Sequence, residues 1–411
     1  MKIGYPCIPL SISKRTTRKF NLNLFNEEIF NQYTKNNLND FFSILKFNNE
    51  NNIKFFRISS DIIPFGSHTI NSIQWWNTFS TTFLEIGEYI KKNNIRVSMH
   101  PGQYTVLNSP KEDTVEKAIN DLIYHCRFLD SLNLPSSHKI IIHIGGIYDS
   151  KEKATNRFIE NYKRLPKNVQ NRIIIENDEK SYSLDDVLYI SSKTNAPVVF
   201  DNLHNQCKKD NNYSLEKILN MVKQTWKDKD GVMKVHYSRQ DPNKKIGSHC
   251  YSLEVTPFLE YLSVAKNFNI DIMLEIKDKD FAAIKGNNIL RELNNTITID
   301  DKNKELKRYE LYFLSKGNDV YNEAINIITN DSIIKFYSFL DHYKNYNDTN
   351  INSALTKGFT YIEDQLTSRE INLFYKYKNS HDFEKAKQYL NKLTIKYDCE
   401  ILMSNYFFYS I

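Results

Sequence analysis

The sequence predicts an α/β fold, a (β/α)8 TIM barrel with a helical C-terminal extension. Three observations lead there. Eight short apolar, β-branched runs recur through the first 276 of the 411 residues. Helix-patterned or irregular stretches separate them, and strands alternating with helices build a parallel sheet closed by its helices. Several runs are continuously apolar, as strands buried on both faces are, and then end in an ionisable residue.

In chain order the runs occupy residues 2–5, 53–59, 95–100, 139–144, 172–176, 198–201, 232–237 and 271–275. IRVSMH, KIIIHI, RIIIE, PVVFD and DIMLE show the apolar body and the polar end most clearly. Helices are predicted over 71–92 (NSIQWWNTFSTTFLEIGEYIKK) and 113–132 (DTVEKAINDLIYHCRFLDSL), where apolar residues recur at helical spacing. Asn71 and Asp113 are the expected N-caps. A barrel of about 250 residues fits the span. After residue 300 the pattern changes to charge-balanced, helix-rich segments, and DDKNKE at 300–305 is the predicted boundary. The barrel is therefore assigned to 1–299 and the extension to 300–411. Within the extension, SALTKGFTYIEDQLTSREINLFYKY at 353–377 weakly resembles a small helical domain family of unknown function. An extension peculiar to this chain explains it equally well.

Composition excludes other classes. With 40% hydrophobic and 25% charged residues, 11 Gly and 10 Pro, the chain is neither collagen-like nor disordered. The formal charge of +6 lies entirely before residue 301, where 40 Lys and Arg face 34 Asp and Glu; from 301 onward the count is 15 against 15. An anionic partner is thus expected at the first part. Cys7, Cys126, Cys207, Cys250 and Cys399 are scattered and odd in number, which suits neither a disulfide framework nor a thiolate zinc site. The start has no signal-peptide run, and no stretch of 18 apolar residues offers a membrane span. A soluble, intracellular protein is expected, with no membrane partner.

In a parallel barrel the carboxyl ends of the strands form the rim where active sites sit. That rim collects His100, His143, Glu176, Asp201 with His204, Lys234 with His236, His249 just beyond, and Glu275. One such residue alone reads as a structural histidine or a rim ion pair. Together they would be a costly convergence of buried carboxylates and imidazoles, which metal ions relieve. Imidazole and carboxylate ligands without thiolate suit Mn²⁺, Zn²⁺ or Fe²⁺. Eight conventional ligands exceed one site, so two or three divalent ions sharing a bridging carboxylate are expected. Such clusters stabilise a phosphoryl centre during in-line displacement. His68 in IPFGSH joins the rim as a phosphate or nucleotide contact; His125, His138, His342 and His381 receive no function.

At these residues the chain resembles the ultraviolet damage endonuclease family. That family is a branch of the metal-dependent xylose-isomerase-like barrels that also contains the endonuclease IV type of abasic-site nuclease. The likeness rests on GYPC (4–7), FRISSDIIPFGSH (56–68), SMHPGQYTVLNSP (98–110), IIHIGG (141–146), IIENDEKSY (174–182), FDNLHNQC (200–207), KVHYS (234–238), GSHCYSLE (247–254) and LEIKDKD (274–280), in order up to about residue 290. The resemblance implies one ion on His100, His143 and Glu176, with Glu176 bridging to a second on Asp201, His236 and Glu275. A third ion falls to His204 and His249, with Lys234 where the abasic-site relatives carry aspartate. An ammonium cannot ligate a cation. The family's lysine is thought to be carboxylated on its ε-nitrogen, the alternative being a free lysine that pairs with phosphate. Glu176, Glu275 and Lys234 are the implied catalytic residues and Mn²⁺ the implied metal, with Zn²⁺ or Mg²⁺ as alternatives.

The same likeness gives Gln103 and Tyr104 a wedge role, entering the duplex where nucleotides are flipped out. It places Tyr5 in the lesion pocket. The chain departs from the family near GYPCIPLSIS, where Pro9 stands close to a pocket asparagine and offers neither amide donor nor backbone N–H. The departure bears on lesion preference and leaves the hydrolytic centre untouched. What the resemblance implies is a monomeric enzyme incising damaged double-stranded DNA 5′ to photoproducts, cyclobutane dimers and 6-4 products, to leave 3′-hydroxyl and 5′-phosphate ends. Lys277, Lys279, Arg239, Lys244 and Lys245 are candidate phosphate contacts. The rivals are an abasic-site endonuclease, a sugar isomerase, which needs neither the third-ion set nor a wedge, and a non-catalytic damage binder, which would have lost ligands.

Overall fold

The computed structural model describes residues 1–208, 212–345 and 347–410. Its barrel unit comprises residues 1–8, 14–251 and 261–279. Eight parallel strands close into a barrel in sequence order. They are β1 (Ile3–Pro6), β2 (Phe55–Ile58), β3 (Arg96–Met99), β4 (Ile140–His143), β5 (Ile173–Glu176), β6 (Val198–Asp201), β7 (Met233–Tyr237) and β8 (Ile270–Leu274). Closure is made by β1 against β8, with Ile3 opposite Ile272 and Gly4 opposite Met273. A Cβ on Gly4 would stand 2.0 Å from the Phe55 carbonyl oxygen, so the GYPC segment admits no larger residue there.

Side chains alternate along a strand, so residues two apart share a face. Ile141, Ile174 and Val199 cluster with Trp226. The next residues of the same parity are His143, Glu176 and Asp201. In register, His143 stands opposite Glu176 and Asp201 opposite His236. An apolar layer thus supports an ionisable one at the carboxyl ends of the strands.

The predicted N-caps are corrected. The 71–92 stretch is two helices, Trp75–Thr78 and Ser80–Lys92, and the Asn71 side chain accepts from the Ile73 N–H instead, a turn that uses up its capping oxygen. The helix Glu112–Ser131 starts after Lys111, whose N–H goes to Ser109 Oγ, and Asp113 pairs with Lys117 one turn on. Other helices open as sequence rules require. Ser183 and Asp186 cap each other at Leu184–Thr194, and Ser150 and Ser214 cap Lys151–Arg164 and Leu215–Lys223.

The second unit comprises residues 9–13, 252–260 and 280–411. Its described part is helical, from Asp280–Leu293 through Ile299–Lys316 to Phe383–Lys396. The DDKNKE run forms the first turns of Ile299–Lys316, capped by Thr298 and Asp301, with Arg291 holding the Asp301 carboxylate. Its core is aromatic, with Phe359 stacked on Phe374 at 4.2 Å between ring centres. The buried Glu305 there accepts from Arg308 and from the Tyr337 hydroxyl. No described helix is long and apolar enough to cross a membrane.

Candidate metal centre and its rim

The centre is organised around Glu176, the last residue of β5, which is 1% exposed. One carboxylate oxygen lies 3.2 Å from His100 Nε2 and 3.6 Å from His143 Nε2; the other lies 2.7 Å from His236 Nδ1 and 3.8 Å from His204 Nδ1. Three overlapping groups could each hold an ion: His100, His143 and Glu176; Glu176, Asp201 and His204; Glu176, His236 and Glu275. Asp201 groups with His204 here because its Oδ1 accepts the His204 backbone N–H, turning the carboxylate toward its own helix start. His249 joins from the loop after β7. Its Nδ1 lies 2.6 Å from the Glu275 carbonyl oxygen, its Nε2 3.9 Å from the Glu275 carboxylate and its ring 6.2 Å from that of His204.

The electrostatics are those of a site with excess negative charge. Burial raises the Glu176 pKa, but the His236 and His143 imidazoles and hydrogen bonds from His100 and His236 hold it well below the ordinary range. Burial, then Glu176 and Glu275, push Asp201 up. Burial would lower His204, yet Asp201, Glu176 and Glu275 carry it up to about 9, whereas burial takes His100 down to about 4. Three buried atoms of the candidate ligands find no hydrogen-bond partner: His143 Nδ1, Asp201 Oδ2 and His236 Nε2. Leaving such groups unpaired costs about 1–3 kcal/mol each. Divalent cations fit this donor set of imidazole nitrogens and carboxylate oxygens, and they answer both the charge and the orphaned atoms.

Lys234 stands apart from these groups. Fully buried one step down β7 from His236, its amine donates to Ser98 Oγ at 3.1 Å and lies 5.3 Å from the centre of the Phe55 ring. Burial, followed by the charges of Arg57 and Arg96, drives its pKa well below the usual lysine range.

Three residues of the centre escaped the sequence analysis. Arg57 near the end of β2 donates to Glu275 Oε1. It is the penultimate residue of its strand, followed by Ile58, so a reading of run ends passes over it. Asn177 exchanges both backbone hydrogen bonds of Asp201 through its side chain, while its carbonyl meets His204 Nδ1 at 3.0 Å. Glu179 reaches within 3.9 Å of His204 Nε2. Both follow Glu176 in IENDE, and nothing in composition marks them out.

On the rim, Tyr104 is 78% exposed beside the exposed Gln103, in a turn closed by the Thr105 N–H to the Gly102 carbonyl. His68 is exposed, its Nδ1 accepting from the Ile70 N–H. Tyr5 requires correction. Expected in a lesion pocket, it is fully buried, donating to Asn48 Oδ1 at 2.8 Å and packed edge-on against Phe56. Strand parity turns it outward to the helix Glu27–Glu50. Of the basic candidates, Lys244 and Lys277 flank Asp241 at 3.7 and 3.5 Å, Lys245 is exposed and Lys279 is half-buried. Arg239, also partly buried, starts the loop that carries His249.

Fold and centre together define a parallel α/β barrel with a cluster of His, Asp and Glu side chains able to hold divalent ions at the carboxyl ends of its strands. Known proteins narrow the class. The profile of the family described as UV-endonuclease UvdE matches residues 8–309. A UV DNA damage endonuclease of Clostridium perfringens is 48% identical over 399 residues, 96% of each chain. One of Bacillus cereus is 37% identical over 257 residues, 61% of this chain and 80% of its own. The crystal structure of SacUVDE is 40% identical, with a TM-score of 0.68 over 72% of this chain and 99% of that one. The chain belongs to the UV-endonuclease UvdE family, a family of endonucleases. Because the Clostridium alignment takes in 96% of both chains, the helical extension is not peculiar to this sequence.

Proposed function

We propose that the chain is a divalent-metal-dependent DNA repair endonuclease. It cuts ultraviolet-damaged duplex DNA at the phosphodiester immediately 5′ to the photoproduct and leaves 3′-hydroxyl and 5′-phosphate ends. The observation that carries this reading is the set of imidazoles and carboxylates gathered on Glu176, with three buried atoms lacking partners. Two or three bound ions, Mn²⁺ with Zn²⁺ or Mg²⁺ as alternatives, supply Lewis-acid stabilisation of the phosphoryl oxygens and a nucleophile from water at neutral pH.

The residues divide the remaining work. Glu176 would be shared between ions, one held with His100 and His143 and a second with Asp201, His236 and Glu275, while His204 and His249 would hold a third. Arg57 keeps Glu275 in place, and Asn177 orients His204 by accepting from its Nδ1. Lys234, if carboxylated on its amine by CO₂ with release of a proton, would supply carbamate oxygens as further ligands. Gln103 and Tyr104 enter the stack at the lesion, and His68 and the rim lysines meet phosphates. Selectivity arises because a crosslinked dipyrimidine is already weakly paired and costs less to unstack than intact DNA. The enzyme acts as a monomer inside the cell, with residues 1–299 carrying incision.

The test is nicking of supercoiled plasmid, irradiated or intact, with Mn²⁺ or chelator, alongside an abasic-site plasmid. Metal-dependent nicking confined to irradiated DNA, lost in Glu176→Gln, is expected. Nicking of abasic DNA alone would replace this reading with an abasic-site endonuclease.

A further inference from the structure

The loop between β7 and His249 contains a feature that the metal centre does not explain. Residues 239–249 fold back on themselves. Asp241 N–H bonds the Ser248 carbonyl, Ser248 N–H the Lys245 carbonyl, and Gln240 and His249 form an antiparallel bridge. The Gln240 side chain staples the loop from within. Its amide donates to the carbonyls of Lys244 and Lys245 at 3.3 and 3.0 Å, and its oxygen accepts from the Gly247 N–H at 2.8 Å. At the tip of this held loop Ile246 is 78% exposed, as much as Tyr104, and Lys244 and Lys245 precede it.

A single exposed isoleucine is unremarkable on a mobile surface. Here the backbone is fixed, the side chain faces water, and the position is tied to the centre. Ile246 lies three residues before the candidate ligand His249, as Tyr104 lies four after His100. A Cβ on the neighbouring Gly247 would stand 3.2 Å from the side chain of Glu179, the carboxylate beside His204. Both loops thus present one apolar tip at the carboxyl ends of the strands, each anchored within four residues of a candidate ligand. Lysines beside an apolar tip match a duplex, whose phosphates flank the base steps that an apolar wedge can enter.

We propose that Ile246 is a second wedge, which enters damaged duplex DNA separately from Gln103–Tyr104 and holds it unstacked while Lys244 and Lys245 meet the flanking phosphates. The inference rests on the endonuclease reading above. Ile246 touches DNA bases and not the scissile phosphate, so it determines specificity and takes no part in bond cleavage.

The test uses Mn²⁺-loaded full-length Ile246→Ala with two duplexes carrying one thymine dimer, one fully paired elsewhere and one with the bases opposite the dimer mismatched into a bubble. Truncation of an exposed tip leaves fold and metal content unchanged, which circular dichroism and metal analysis check. Loss of the apolar wedge removes a contact that offsets the unstacking of one base step, about 2 kcal/mol, a fall of about 30-fold in kcat/KM on the paired duplex. On the bubble, already unstacked, the fall is less than twofold. Stopped-flow fluorescence of 2-aminopurine opposite the dimer rises before incision with wild type, and its amplitude falls in the variant. Equal activity of variant and wild type on the paired duplex, or an equal loss on both duplexes, overturns the wedge and leaves the endonuclease standing. A fluorescence rise that depends on Ile246 without any incision overturns the endonuclease and leaves the wedge.

Discussion

Lys139 is fully buried immediately before β4, at the amino ends of the strands and so at the end of the barrel opposite the candidate centre. Its ammonium donates to Asp230 Oδ1 at 2.6 Å and to the Asn171 carbonyl at 2.7 Å, and Asp230 is itself 3% exposed. Lys139→Met removes one partner of a buried pair, which costs about 3–5 kcal/mol because the remaining carboxylate stays charged and desolvated. Asp230 retains the Lys227 N–H at 3.1 Å, and the methionine returns some apolar burial, so the expected loss is about 3 kcal/mol. Trp75, Trp76 and Trp226 all lie in the barrel unit, so tryptophan fluorescence in a urea titration reports that unit. The double variant Lys139→Met/Asp230→Leu should recover most of the loss, since no charge is left buried. Incision per folded molecule should not change. A single variant within about 0.5 kcal/mol of wild type would show that this pair contributes nothing over an unpaired carboxylate, and that the argument from burial is wrong.

Glu176→Gln should lose bound manganese by metal analysis and lower nicking of irradiated plasmid by more than about a hundredfold, a larger effect than outer-shell changes produce. Arg57→Met should lower incision while leaving bound metal within about tenfold in affinity, because Arg57 positions Glu275 and is not itself a ligand. Tyr104→Ala should weaken binding of dimer-containing duplex by about 5- to 150-fold in a titration, with an unchanged melting temperature because the ring is exposed. His138 gives a pH signature. It is buried, its Nδ1 accepts from the Val97 N–H, and burial, then Arg96 and Arg172 with Lys2, pull its pKa from 6.5 to about 3. A base whose folded pKa is depressed contributes stability that is full above 6.5 and is lost as pH falls toward 3. Urea titrations at pH 6.5 and pH 5 should therefore show about 1.5 kcal/mol less change in His138→Gln than in wild type, and equal changes would exclude His138 as the source.

The strands were legible because they are short apolar runs, several of them ended by an ionisable residue, and the run order alone implied the barrel. Their faces were not legible, since a continuously apolar strand carries no alternation to show which parity points inward. Tyr5 shows the consequence: one residue of parity separates the barrel interior from the Asn48 side chain that its hydroxyl meets. The metal-centre candidates could be gathered from strand ends, but Arg57 is followed by Ile58, so its run ends apolar and drew no notice. Asn71 and Asp113 misled because a local turn and a local ion pair outbid the cap, and both depend on neighbours that periodicity does not weigh. Tyr104 was placed on a rim loop from HPGQYT alone; its exposure follows from the Gly102–Thr105 hydrogen bond, which no residue count reveals.

The pairing of Ile3 with Ile272 has a bearing on synthesis of the chain. The ring of strands cannot shut until the eighth leaves the ribosome, and Glu275 is the residue that immediately follows it. Until then the isoleucine-rich strands β4 and β5 belong to an open sheet with unsatisfied edges, a state prone to association. A nascent or prematurely terminated chain therefore lacks a finished barrel and Glu275 together. A potentially harmful cutting activity is thereby interlocked with completion of the fold that carries it.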